Sequence, residues 1–250
     1  MTVPPQSGRR FEHVDRIGST NAELLSRLSR GEQLREGDWL IAERQEAGRG
    51  RLGRVWQDGA GNFMGSTCVA IRAGDPPPHT LALVTGVAVY EAVAGLTGAG
   101  ADLALKWPND LLAKGAKLAG ILLERQRDHV VIGIGINLAS APDLPDRPSI
   151  ALSALGHEVP RADFERALAA SLEAEIALWR SAGLAQTVAR WVARGPAPGT
   201  KIAVNPASED RLTGEYRGLD PDGALLLRLA GGTVRAIHAG EVELLRNGEN

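Results

Sequence analysis

From Gln45 to Trp56 the chain alternates arginine with glycine: Gly48-Arg49-Gly50-Arg51-Leu52-Gly53-Arg54, then Val55 and Trp56. Guanidinium groups grip phosphate or carboxylate through paired bonds, and glycine lets the backbone close over such an anion. The glycine spacing also matches the Gly-x-Gly-x-x-Gly dinucleotide fingerprint. That fingerprint needs a helix directly after it and an acidic residue about 20 positions on, at a strand end. Here Arg54-Val55-Trp56-Gln57-Asp58-Gly59 follows, which opens no stable helix, and Asp75 falls in a proline turn. The dinucleotide reading fails. A solvated basic loop is the plain alternative, but the segment follows a buried-strand pattern and carries Trp56, an aromatic face that a surface loop does not need.

Four other segments offer chemistry. Ser19-Thr20-Asn21 groups two hydroxyls and an amide suited to a small polar ring, although Thr20-x-x-Glu23 is also a helix capping box and that role alone suffices. In Lys106-Trp107-Pro108-Asn109-Asp110 the proline ends a strand, so Asn109 and Asp110 project where open sheets hold ligands. A carboxylate there can hold Mg²⁺, and an amide can read an adenine edge. Lys117 opens an apolar run, Leu118 to Leu122, as a solvated strand-mouth lysine or as a cation for charge building on a carboxyl group. Gly133-Ile134-Gly135-Ile136-Asn137 reads as a buried strand whose glycines permit close approach, with an amide at its exit. Cys68, the single cysteine, sits in an apolar run and reads as a buried structural thiol.

These residues need elements to hold them. Residues 1–10 read as a short flexible lead, and a helix is expected from Thr20 to about Arg30. Strands are expected at Trp39–Ala42, Phe63–Ile71 and Leu103–Trp107, with a buried helix from His79 to about Leu96. Lys117–Glu124 and Val130–Leu138 form an antiparallel pair across a short polar link. A turn-rich loop fills 139–149. Amphipathic periodicity predicts helices from about Ala162 to Ala182, before Gly183, and from about Leu184 to Arg194. Gly195-Pro196-Ala197-Pro198-Gly199 marks a boundary between a domain at 1–195 and a small one at 200–250. Beyond it, Lys201–Val204, Arg211–Arg217, Ala224–Leu229 and Thr233–His238 predict a small antiparallel barrel.

With 44% apolar and 23% charged residues the chain is an ordinary globular protein, and a net charge of −2 gives no global pull toward nucleic acid or acidic membranes. No apolar leader and no run of about 18 apolar residues is present, and the single cysteine can form no internal disulfide, so a cytoplasmic protein is expected.

In this order and spacing, over about residues 15–246, the five segments resemble the biotin–protein ligases. The tail Gly218-Leu219-Asp220 through Gly223-Ala224-Leu225, then Gly240-Glu241-Val242, is similar to that family's small C-terminal barrel. Lipoate or octanoate ligases share the fold and stand as the alternative; a binding sensor without turnover is a second, opposed by the presence of Lys117 and Asp110. The resemblance implies an α/β fold, a mixed sheet backed by helices, with a C-terminal SH3-like β-barrel. It implies ATP and Mg as cofactors and biotin as substrate: biotinyl-5′-adenylate forms, then the acyl group passes to a lysine of a biotin carboxyl carrier domain. It implies that Ser19, Thr20, Asn21 and Gln45 hold the biotin ring, and that Arg49, Gly50 and Arg51 close over the carboxylate and phosphate as a mobile lid. Lys117 would then sit at the reacting carboxylate, Trp56, Lys106, Asn109 and Asn137 on the adenylate side, and Asp110 near Mg²⁺, with Lys117, Arg51 and Asp110 the catalytic set. Only 18 residues precede Ser19, too few for the DNA-binding domain some members carry, so neither a repressor role nor a nucleic-acid or membrane partner is expected, and a homodimer is left open. Met64 stands where an aromatic is expected in the biotin pocket.

Overall fold

A computed structural model describes residues 9–57, 59–98, 102–144, 147–206 and 210–245. Most of the lead expected at 1–10 lies outside the described residues. Arg10 does not behave as a loose end: its carbonyl accepts from Trp39 N at 2.9 Å.

Seven strands form one mixed sheet: β1 (Phe11–Ile17), β2 (Trp39–Gln45), β3 (Phe63–Ala70), β4 (Leu103–Lys106), β5 (Asp110–Ala113), β6 (Ala116–Gln126) and β7 (His129–Ile136). Their order is β1-β2-β3-β7-β6-β5-β4, with β1 parallel to β2 and every other neighbour antiparallel. The expected β6–β7 pair is present, with Gly120 opposite Gly135 and Leu122 opposite Gly133.

Because strand side chains alternate faces, the sheet sorts its residues. Trp39, Ile41, Val69, Ile132 and Ile134 join the large core built with α2 (Leu81–Thr97) and α3 (Arg161–Ala182). Leu40, Cys68 and Val131 point the other way, under α1 (Thr20–Ser29). Continuing that alternation from Val131 puts Gly133, Gly135 and Asn137 on the α1 face as well. Their cross-strand partners follow: Met64 and Ser66 on β3, Gly120, Leu122 and Glu124 on β6. The functional residues therefore share the face that α1 covers only in part.

Pro78–Thr97 is long and apolar enough to cross a membrane by composition, but most of it is buried between the sheet, α3 and α4 (Ala185–Arg194). After residues 195–199, five strands, β8 (Lys201–Pro206), β9 (Leu212–Leu219), β10 (Leu225–Arg228), β11 (Val234–Ile237) and β12 (Gly240–Leu244), make an antiparallel sheet in the order β11-β10-β9-β8-β12. Its Ile202, Val204 and Tyr216 pack into one core with Trp191 of α4. Trp107 donates its indole N–H to the Gly223 carbonyl at 3.1 Å, a second tie between the sheets.

The structure corrects the reading of the first helix. Its N-cap is Ser19, whose hydroxyl accepts from Ala22 N, and Glu23 turns outward to an i,i+4 pair with Arg27 at 2.9 Å. Thr20 is released from capping and faces the sheet. β1, β5 and β12 were not expected.

Candidate active site

A cleft opens between the N-terminus of α1, the open face of β6–β7 and the Arg/Gly loop. One end is polar and buried. Thr20, Asn21 and Ser66 are 3%, 3% and 0% exposed. The Thr20 hydroxyl lies 2.7 Å from Ser66 Oγ, and Ser66 Oγ donates to Asn21 Oδ1 at 2.6 Å. Gln45 Oε1 accepts from Thr20 N at 2.8 Å. Asn21 Nδ2 donates to Glu124 Oε2 at 2.9 Å. Ser19 lines the same end while capping α1. In water-free surroundings such a network holds each donor and acceptor in one orientation.

The floor is glycine because side chains occupy the space a Cβ would need. A Cβ at Gly133 would sit 2.3 Å from Asn21 Oδ1, and one at Gly135 would sit 2.4 Å from the Trp56 ring. Trp56 thus lies flat along the Gly120–Gly135 pair, reached from above by the Arg/Gly loop.

That loop is a hairpin with no helix after it. Gly50 N donates to Arg54 O at 2.8 Å, Trp56 N to Gly48 O at 2.9 Å, and a single 3₁₀ turn spans Arg51–Gly53. Each arginine has its own anchor. Arg51 donates to Asn109 Oδ1 at 3.1 Å and to the Gly240 carbonyl at 3.2 Å. Arg54 pairs with Glu241, and Arg49 Nη2 lies 3.5 Å from Glu124 Oε1.

Lys117 stands mid-cleft, its ammonium 2.6 Å from Asp110 Oδ1. Burial pulls its pKa below the ordinary lysine range, and the Asp110 carboxylate opposes that pull. Burial likewise lowers the Arg51 pKa, against Glu241 and Asp110. The second Asp110 oxygen faces Lys106 Nζ at 3.5 Å, so Asp110 is the counter-ion of two lysines. Lys106 is not among the cleft-lining side chains. Among the described residues no group of three or more His, Cys, Asp or Glu is placed to hold a metal.

At the far end Asn137 donates to the Ile150 carbonyl at 3.2 Å, while its Oδ1 is buried with no hydrogen-bond partner. It is an acceptor left unused by the protein. Asn109 differs: its amide donates to the Ile121 carbonyl at 2.7 Å and its oxygen takes Arg51, so it orients the loop. Residues 148–150 close this end through Lys117 N to Pro148 O at 2.9 Å and Ile150 N to Lys117 O at 3.0 Å. Met64 is fully buried on the cleft face without lining the cavity. Ser66 and Glu124 were missed by sequence reasoning, since Ser66 stands beside Thr67 and Glu124 opens the polar run to Asp128, so neither is set apart from its neighbours.

The geometry agrees with comparisons to known proteins. Residues 14–137 match the biotin/lipoate A/B protein ligase family and residues 204–245 the biotin protein ligase C-terminal domain. The biotin–acetyl-CoA-carboxylase ligase of Mycobacterium tuberculosis is 40% identical over 243 residues, covering 95% of this chain and 90% of that protein. The enzyme of the same name from Paracoccus denitrificans is 37% identical over 238 residues, covering 91% and 97%. A solved structure of the Aquifex aeolicus biotin protein ligase with biotin and ATP superposes with a TM-score of 0.84 at 25% identity, over 96% of this chain and 100% of that one. The chain belongs to the biotin/lipoate A/B protein ligase family. Its sheet backed by helices and its C-terminal SH3-like sheet are that family's fold.

Proposed function

We propose that this protein is an ATP-dependent biotin–protein ligase. It joins biotin to AMP as biotinyl-5′-adenylate and passes the acyl group to a lysine of a biotin carboxyl carrier domain, in the cytoplasm. The observation that carries the reading is the placement of Lys117. A buried cation stands midway between a preorganised polar end sized for a small ring and an end with an unpaired amide acceptor.

Ser19, Thr20, Asn21 and Gln45 hold the ureido ring, and the valeryl chain runs over the Gly120–Gly135 floor beside Trp56. The carboxylate then meets Lys117, whose charge offsets the negative charge that builds as the carboxyl oxygen attacks the α-phosphorus and pyrophosphate leaves. Asp110 keeps Lys117 charged. Arg51 covers the carboxylate and phosphate, and Arg49 and Gly50 belong to the same lid. Asn137 Oδ1 accepts from the adenine amino group. Magnesium would be carried by the nucleotide phosphates and would offset their charge; Asp110, held by two lysines, is not an open ligand for it. The mixed anhydride is labile to water, so the lid protects it until the acceptor lysine attacks. The two sheets are two domains, 1–195 and 200–250.

Biotin-dependent exchange of pyrophosphate into ATP, followed by labelling of a carrier domain, tests the reading. Exchange with lipoate but not biotin overturns it, as does tight biotin binding without exchange.

A further inference from the structure

We propose that Glu124 is a positioning residue that couples the ring-binding end of the cleft to closure of the Arg/Gly loop. The proposal rests on the ligase reading. Glu124 projects from β6 on the cleft face, and its two oxygens serve different parts of the molecule. Oε2 accepts from Asn21 Nδ2 at 2.9 Å, and Oε1 lies 3.5 Å from Arg49 Nη2.

The Asn21 contact sets the direction of the whole network. With its amide N–H committed to Glu124, Asn21 presents its oxygen to Ser66, which donates at 2.6 Å. Asn21 and Ser66 are shut away from water, so no solvent molecule can reverse them. The Arg49 side chain, by contrast, is 47% exposed and belongs to the loop. Among the described residues Glu124 therefore touches both the fixed ring end and the exposed loop arginine. A ring bound to Asn21 adds to the hold on the Glu124 carboxylate that faces Arg49, and by reciprocity a closed loop tightens the hold on the ring. A surface ion pair with no such role would involve Arg49 and Glu124 alone.

Glu124→Gln separates the two contacts, because its amide oxygen still accepts from Asn21 while the charge facing Arg49 is gone. Release of biotinyl-adenylate from the purified complex should quicken by about 1.5- to 5-fold, as expected for a partly exposed ion pair, with the biotin KM little changed. Glu124→Ala should raise the biotin KM as well, since the buried Asn21 amide loses its 2.9 Å acceptor and keeps only the 3.5 Å contact to the Leu122 carbonyl. Glu124→Asp should restore retention in part. Combined with Arg49→Gln, Glu124→Gln should add little beyond the larger single effect. Unchanged release in Glu124→Gln, or effects that simply multiply, would overturn the proposal.

Amide exchange of residues 48–56 reads the latch without any substrate. Faster exchange in Glu124→Gln, with an unchanged thermal midpoint, supports it, and identical exchange overturns it. Absence of biotin-dependent pyrophosphate exchange in the wild type would instead sink the ligase reading, leaving the latch to be judged by amide exchange.

Discussion

Lys117 is pulled two ways, and the balance sets a pH dependence. An ordinary lysine loses its proton near pH 10.4, roughly. Burial lowers that value and Asp110 raises it, with burial the larger effect. With the charged form as the one proposed to act in adenylation, its alkaline limb should fall below the range of an unperturbed lysine. Asp110→Asn removes the opposing carboxylate, so the limb should move to still lower pH, and Lys117→Arg should abolish it in this range. A pH profile of pyrophosphate exchange with Asp110→Asn unmoved, or moved upward, would show that Lys117 is not the titrating group. The glycine floor makes a second, steric prediction. Gly135→Ala puts a methyl 2.4 Å from the Trp56 ring, whereas at Gly120 the nearest Trp56 atom is 3.2 Å away. Overpacking costs about 1–3 kcal/mol. Because the ring sits on a loop, the loop gives way before the sheet does. Adenylate formation should drop about tenfold or more in Gly135→Ala with a modest loss of thermal stability, while Gly120→Ala, whose methyl also comes within 3.1 Å of Lys117 Nζ, should disturb Trp56 less. A Gly135→Ala rate equal to the wild type would mean that Trp56 does not need this floor.

The Arg/Gly hairpin works as an element because its arginines are tied to three different parts of the molecule. Arg51 is the innermost, bonded to Asn109 and to the Gly240 carbonyl. Arg51→Ala should leave the fold intact and speed adenylate release by about 10- to 100-fold, the size expected for a lost charged hydrogen bond of about 1.5–3 kcal/mol. A purified complex that keeps its adenylate as long as the wild type does would remove Arg51 from the lid. Much of this was readable beforehand. The loop, its missing helix, Lys117 and the two glycines of β7 all announce themselves through unusual residues in apolar surroundings. Three strands did not. β1 alternates weakly, Phe-Glu-His-Val-Asp-Arg-Ile, because it is a half-exposed edge. β5 is four residues long and starts inside what reads as an Asn-Asp turn. β12 is short and begins on Gly240 after another turn. Helix capping slipped by one residue because Ser19 and Thr20 are equally good caps, and only the packed structure shows which hydroxyl the sheet recruits. Ser66 and Glu124 stayed hidden since their partners are 45 and 103 residues distant in sequence.

At the scale of the whole molecule, the C-terminal sheet braces the Arg/Gly hairpin proposed as the lid. Arg51 reaches the Gly240 carbonyl and Arg54 pairs with Glu241, both at the start of β12. The same sheet is fixed to the catalytic sheet through the core around Trp191 and through Trp107, so it is a rigid abutment against which the loop rests. The abutment is electrostatic where it meets the loop, which makes it reversible by charge. Glu241→Arg sets two cations against each other and adds a third near Arg51. Adenylate release should quicken by several-fold, with the thermal midpoint nearly unchanged because an exposed pair is worth only about 0.2–1 kcal/mol. Joining it to Arg54→Glu restores an opposite pair across the same gap, so retention should recover toward the wild-type value. Raising ionic strength should shrink the difference between the single variant and the wild type, since these groups are partly open to solvent. Release measured from the three purified complexes at low and high salt separates the cases. A double variant that leaks as fast as Glu241→Arg would mean that the shape of β12, and not its charge, supports the lid.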